Sequence, residues 1–261
     1  MPRLSVVLPV YCTAEYLREL HQRLVAALQP LADGFELVMV DDGSPDHAWQ
    51  TLEELATQDA RVKAIRLSRN FGQHAAICAG FEHCAGDVIV LMDADLQDRP
   101  EDIPRLLDHL KDDTDVVYTV KEGEHEPLLT RFTSSLYHYV FMTLTRTNVP
   151  RNIGTFRLFT RRFLNAVLEY PERNVLYGPL MFHVGFQAAI VPVARDPRAG
   201  SKSSYTFRKR LLLAINSLLS YTDLPHRLLI RGGLWILALS LIYSVVLVVR
   251  YLLASEPCRR G

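Results

Sequence analysis

"VIVLMDADLQDRPEDIP", residues 88–104, runs from an apolar strand straight into two carboxylates. Val88, Ile89, Val90, Leu91 and Met92 read as buried sheet, and Asp93, Ala94, Asp95, Leu96 and Gln97 follow at once. Asp is a poor strand residue, and neighbouring carboxylates repel each other unless a positive charge lies between them. In an extended segment, residues two apart share a face, so Asp93 and Asp95 point the same way. Mg²⁺ or Mn²⁺ would relieve their repulsion, since such ions are held by one or two carboxylates plus phosphate oxygens. Gln97, two residues further on, adds a neutral oxygen. The competing reading is a solvated helix cap before Pro100.

Working outward, strands and helices alternate. "LSVVLPVY" is a first strand, followed by a helix near Ala14–Leu28; "FELVMVDDGS" is a second, with a helix near Ala48–Gln58. "VKAIRLS" precedes a helix from Gly72 to Cys84, "DVIVLMDAD" precedes one from Glu101 to Leu110, and "DVVYTV" is a fifth strand. This alternation implies an α/β fold whose mostly parallel sheet is flanked by helices on both faces. Tyr11, Asp41–Asp42 and Asp93–Asp95 all fall at C-terminal strand ends, where open α/β sheets bind ligands. In "VDDGSPD", residues 40–46, Gly43 supplies the turn and Ser44 or Asp46 caps the next helix. Capping leaves Asp41 unexplained, and a carboxylate there could accept from the N–H of a uracil or guanine base. Beyond residue 121, residues 127–147 read as an amphipathic helix, "GTFRLFTRRFLNAVL" as a strand leading into a helix, and "FQAAIVPVAR" as a strand. "DPRAGSKSSYTFRKR" reads as a polar loop, and "LLLAINSLLSY" as a helix lying on a membrane surface.

The 261 residues suffice for one large domain or two small ones, with 49% apolar residues to build a core. Lys plus Arg and Asp plus Glu are 29 each, so no global field favours nucleic acid. The balance hides a polarity: residues 195–231 carry Arg195, Arg198, Lys202, Arg208, Lys209, Arg210, Arg227 and Arg231. Directly after them, Gly232 to Val249 is an 18-residue stretch without a charge that extends past Arg250 to Leu253. About 20 apolar residues cross a bilayer. The alternative, a buried core helix, is disfavoured by the flanking arginines and by Trp235 and Tyr243. The excess of basic residues on the N-terminal side places the large domain in the cytoplasm. Cys12, Cys78, Cys84 and Cys258 form no CxxC pair and read as free thiols of a reducing compartment. "MPRLSVVLPV" reads as a strand, with no signal peptide. A nicotinamide dehydrogenase is set aside because "VYCTAEYL" stands where G-x-G-x-x-G would follow the first strand. A haloacid-dehalogenase-like phosphatase is set aside because its DxD follows an early strand.

Together, "SVVLPVY…E" (5–15), "VDDGSPD" (40–46), "LSRNFGQHAAICAGFEHCAGD" (67–87) and "DADLQDRPEDIP" (93–104) resemble family 2 glycosyltransferases of the GT-A fold. More narrowly they resemble bacterial undecaprenyl-phosphate sugar transferases and dolichol-phosphate mannose synthases, over residues 4–250. The resemblance implies that Pro9, Tyr11, Glu15, Asp41, Asp42, Asp93, Ala94 and Gln97 border a UDP- or GDP-linked sugar. It implies that Asp93, Asp95 and Gln97 hold Mg²⁺ or Mn²⁺, with Asp95 essential to catalysis. It also implies that Arg131, in the acceptor-side helix, is catalytic and contacts the acceptor phosphate, and that Arg198, Lys202 and Arg208 contact phosphates; the competing role for the last three is attraction to the membrane surface. "NFGQHAAICAG" resembles the aminoarabinose-transferring relatives most. Two residues depart from the pattern. Cys12 stands where Asn is usual, and Thr155 stands where many relatives carry a catalytic Asp. A lipid phosphate acceptor removes the need for that base, because a phosphate monoester with a second pKa of about 6 is already ionised at neutral pH.

The implied enzyme is an inverting transferase, moving a sugar from a nucleotide diphosphate to polyprenyl (undecaprenyl) phosphate at the cytoplasmic face of the inner membrane, in cell-envelope polysaccharide or lipopolysaccharide biosynthesis. Its expected layout is a catalytic domain over 1–205, a juxtamembrane region over 206–231, a transmembrane helix over 232–253 and a short tail over 254–261, where relatives carry a second membrane helix. A homo-oligomer stays open. The alternatives are transfer to a lipid-linked oligosaccharide or polysaccharide, although no QxxRW motif is present, and a degenerate subunit that only binds nucleotide-sugar.

Overall fold

The computed structural model describes residues 3–31, 34–111, 113–121, 143, 153–170, 180–182, 184–194 and 224–254. The predicted alternation is present. Strand β1 (Leu4–Val10) leads to α1 (Leu17–Leu28), β2 (Phe35–Asp41) to α2 (Ala48–Gln58), and β3 (Val62–Arg66) to α3 (Gln73–His83). Strand β4 (Val88–Leu91) leads through a 3₁₀ turn (Pro100–Asp102) to α4 (Ile103–Leu107). There follow β5 (Val116–Lys121), β6 (Ile153–Thr160), α5 (Arg161–Leu168), β7 (Ala188–Val193) and α6 (Leu224–Ala254).

The seven strands form one sheet in the order β3-β2-β1-β4-β6-β5-β7. All described pairings are parallel except those of β6, which runs against β4 and β5. Helices cover both faces, as near-continuous apolar strands require. On one face α1 buries Leu17, Leu20, Leu24 and Leu28, a single stripe at helical spacing, beside Leu52 of α2 and Ile103 of α4. On the other, Ala76, Ile77 and Phe81 of α3 and Phe163, Leu164 and Val167 of α5 pack on Val7, Ile89 and Phe159. α5 is capped by Thr160, whose Oγ1 accepts from Phe163 N at 3.2 Å.

Two expected boundaries change. The fourth strand ends at Leu91 rather than running through the acids, and Leu96 turns back with φ +59°. The helix expected over 101–110 is α-helical only over Ile103–Leu107. Pro104 has no N–H to donate backwards, and residues 109 and 110 close with tighter bonds to Leu106 and Leu107. Helix α6 contains the expected apolar span: Leu228–Leu252 has mean hydropathy 2.3, and among the described residues nothing buries it. Apart from Thr143, which is helical, the predicted helix at 127–147 lies outside the described residues, as does the basic loop at 196–210.

Candidate active site

β1, β2 and β4 are neighbours and parallel, so their C-terminal ends open on one edge. That edge collects Tyr11 and Cys12, Asp41 and Asp42, and Asp93 to Gln97. Pro9 pairs with Val40 and Val10 with Asp41, which puts the first two groups side by side. Tyr11 is 48% exposed there, and Glu15 is also exposed.

The carboxylates of β2 divide their tasks. Asp41 is fully buried, and its Oδ1 accepts from Ser44 N at 2.9 Å across the turn at Gly43. Its Oδ2 is buried with no hydrogen-bond partner among the described residues, 3.6 Å from Arg66 Nε. Asp42 uses both oxygens on the segment entering α3, accepting from Phe71 N at 2.8 Å and Gly72 N at 2.9 Å. The turn admits no side chain at Gly43, which has φ +65° and whose added Cβ would meet the Arg69 carbonyl carbon at 2.6 Å. Beside it lies a cleft of about 400 Å³ lined by Gly43, Arg66, Leu67, Ser68 and Arg69.

At β4, Asp95 is buried, whereas Asp93 and Gln97 are half-buried, and Ala94 is buried between the two acids. Asp93 Oδ1 accepts from Gln73 Nε2 of α3 at 2.7 Å, and Asp95 Oδ1 accepts from Gln97 N at 3.3 Å. The donor set is hard oxygen, which suits Mg²⁺ or Mn²⁺. Among the described residues no three or more His, Cys, Asp or Glu gather as a metal cluster. Two carboxylates plus phosphate oxygens and water are a usual set for these ions, so Asp93 and Asp95 fit one that binds along with a phosphorylated ligand.

Strand β6 closes the far side. Leu91 pairs with Arg157, and continuing that antiparallel register brings Thr155 level with Asp93. Thr155 lies two residues beyond the last β4–β6 pair, at the same end of the sheet as the acids, and its side chain cannot serve as a carboxylate base. Arg157, which pairs with Leu91, is buried, a placement the sequence did not announce. Gln73, Arg66 and Arg157 were not singled out from the sequence, because each reaches the edge from an element whose pattern speaks only of packing. Arg131, Arg198, Lys202 and Arg208 lie outside the described residues.

The sheet with its acid-lined edge has the GT-A fold. Among solved structures, a mannosyltransferase from Pyrobaculum calidifontis in complex with GDP-Man and Mn²⁺ matches with TM-score 0.61 at 19% identity, over 84% of this chain and 64% of that one. Glucosyl-3-phosphoglycerate synthase from Mycobacterium tuberculosis, in complex with Mn²⁺, UDP and glucosyl-3-phosphoglycerate, matches with TM-score 0.57 at 17% identity, over 85% and 80%. The model of glycosyl transferase family 2 matches residues 5–168, and the chain belongs to that family. An undecaprenyl-phosphate 4-deoxy-4-formamido-L-arabinose transferase of Pseudomonas fluorescens is 36% identical over 94% of this chain and 72% of its own length. An uncharacterised glycosyltransferase of Synechocystis is 32% identical over 95% and 78%.

Proposed function

We propose that this glycosyltransferase moves a sugar from a nucleotide diphosphate to a polyprenyl phosphate, such as undecaprenyl phosphate, at the cytoplasmic face of the inner membrane. The observation that carries the reading is the convergence of Tyr11, Asp41 and the Asp93–Asp95 pair on the ends of three adjacent parallel strands, β1, β2 and β4. The buried Oδ2 of Asp41, ion-paired with Arg66 at 3.6 Å but without a hydrogen-bond donor among the described residues, can accept from the N–H of a nucleobase. Tyr11, with Pro9 and Glu15 on the same edge, would border the nucleoside. Asp93 and Asp95, with Gln97, would hold Mg²⁺ or Mn²⁺, which when bound neutralises charge on the departing diphosphate. The support for a divalent ion is the oxygen donor set here and the Mn²⁺ in the two structural neighbours.

The attacking group is a phosphate oxygen of the lipid. It forms a bond to the anomeric carbon from the side opposite the leaving diphosphate, whose C–O bond breaks, so the configuration inverts. The acceptor is already an anion and no general base has to take a proton, which accords with a threonine rather than an acid at position 155. Orientation and relief of phosphate–phosphate repulsion remain for the protein to provide. Arg131, Arg198, Lys202 and Arg208 are the proposed phosphate contacts on the acceptor side. Residues 228–252 would hold the catalytic domain at the lipid surface.

Asp95→Asn is expected to abolish transfer from nucleotide-sugar to undecaprenyl phosphate while the thermal transition stays within a few degrees of the native one. Full activity in that variant would sink the site. Mild-acid lability of the labelled lipid product separates a phosphate-linked sugar from a stable glycoside, and a stable product would favour an oligosaccharide acceptor.

A further inference from the structure

Strand β6 does not pair evenly with β5. Tyr118 pairs with Arg157 and Val120 with Ile153, so Thr119 alone stands opposite Gly154, Thr155 and Phe156. The two extra residues on β6 make a bulge, a device that bends a strand and re-aims a side chain, often next to an active site. The carbonyl of each bulge residue accepts from a side chain: Arg157 Nε donates to Thr155 O at 3.0 Å and its Nη2 to Gly154 O at 2.8 Å, and Thr119 Oγ1 donates to Phe156 O at 2.6 Å. Gly154 allows the close approach, since a Cβ there would come 3.0 Å from Thr119 Oγ1. Arg157 itself is buried, with Nη1 donating to Met181 Sδ at 3.3 Å and the guanidinium 5.6 Å from the centroid of the Tyr118 ring. Its planar fork of donors holds two successive carbonyls at once, which a lysine ammonium in the same place does not reproduce.

The clamp decides what the bulge presents. Gly154, Phe156 and Arg157 are buried, whereas Thr155 among them is half-buried. Thr155 is thus the bulge residue whose side chain reaches the surface, at the end of the sheet that carries the acids. In the strand order, β6 lies on the opposite side of β4 from β1 and β2. Tyr11 and Asp41 stand at the ends of β1 and β2, so Thr155 lies across the acids from the nucleoside side. An acceptor that attacks opposite the leaving diphosphate approaches from there. We infer that Thr155 is an acceptor-binding residue whose hydroxyl donates to a phosphate oxygen of the lipid, and that Arg157 and Thr119 are the positioning residues that hold it. The inference rests on the polyprenyl-phosphate acceptor proposed above. A hydroxyl can donate to an anion without adding charge to an edge that already holds Asp93 and Asp95, and a hydrogen bond to a charged partner is stronger than one between neutral groups.

The test is native mass spectrometry of the full chain in detergent, titrated with undecaprenyl phosphate and, separately, with undecaprenol, which lacks the phosphate. The native chain should prefer the phosphate lipid. Thr155→Val, close in shape, should bind undecaprenyl phosphate about ten-fold more weakly and undecaprenol unchanged, and Thr155→Ser should keep the native value. Arg157→Lys keeps the charge and loses the fork, so it should weaken the same lipid by a similar factor. Combined with Thr155→Val it should cost nothing further, because a residue that acts through Thr155 then has nothing left to position. Thr119→Val loosens the bulge from β5 and repeats the cycle should Arg157→Lys not fold. Native affinity in Thr155→Val overturns the inference, as do additive losses in the double variant or loss of fold in both clamp variants. A native chain that binds the two lipids alike overturns the acceptor reading itself, and the inference with it.

Discussion

Asp41 accepts from Ser44 N and keeps its other, buried oxygen within ion-pair distance of Arg66, whereas Asp42, one residue on, commits both oxygens to the amides of Phe71 and Gly72. Read in sequence, both were candidates for the nucleotide edge, with Asp41 the one that capping left unexplained. What separates them is a loop about thirty residues away that no local pattern connects to β2. Asp42→Asn leaves one acceptor oxygen and removes the charge, so one amide loses its partner. Charge-assisted bonds of this kind contribute about 1.5–3 kcal/mol each. The expected result is a lower unfolding midpoint and faster hydrogen exchange at Phe71 and Gly72 than elsewhere in the sheet. Uniform exchange across the variant would contradict the loop-pinning role. Asp93 and Asp95 were legible because an acid pair at a strand end violates strand preference. Arg157 was not, because an arginine in "GTFRLF" reads as an exposed strand position until the register pairs it with Leu91, two residues before Asp93.

The helices were largely readable, since an apolar stripe at a spacing of three to four survives without tertiary information. α3 was expected over Gly72 to Cys84 and is present over Gln73–His83. How closely it seats on the sheet was not readable. A Cβ on Gly80 would come 2.3 Å from Val7 Cγ1, so the absence of a side chain is what lets α3 lie directly on β1. Gly80→Ala gains about 1 kcal/mol of helix preference and meets an overpacking cost of about 1–3 kcal/mol against a fully buried β-branched neighbour. The clash wins. Denaturant unfolding should show a net loss of about 1–2 kcal/mol, and an equal or more stable variant would mean that α3 can retreat without cost. The direction of β6 was also hidden, because an apolar run has the same composition whichever way it enters the sheet.

At the scale of the whole molecule, a catalytic α/β sheet is joined to a C-terminal helix whose apolar surface is not buried by any of the described residues. Residues 228–252 are long and apolar enough to span a bilayer, and leaving such a surface in water is strongly unfavourable. The chain is expected to sediment with membranes, to resist alkaline carbonate and to be released by detergent. Release by carbonate alone would demote α6 to a peripheral contact. Sequence by itself determined the α/β class, the acidic strand ends and the apolar span, because periodicity, charge placement and length are local properties of a chain. Only the tertiary structure decided which strands are neighbours, that β6 runs backwards, that Asp42 pins a loop and that Arg157, paired with Leu91, is buried. Those facts depend on contacts between residues far apart in the chain, and their energies come from burial and charge proximity that exist only once the sheet has assembled.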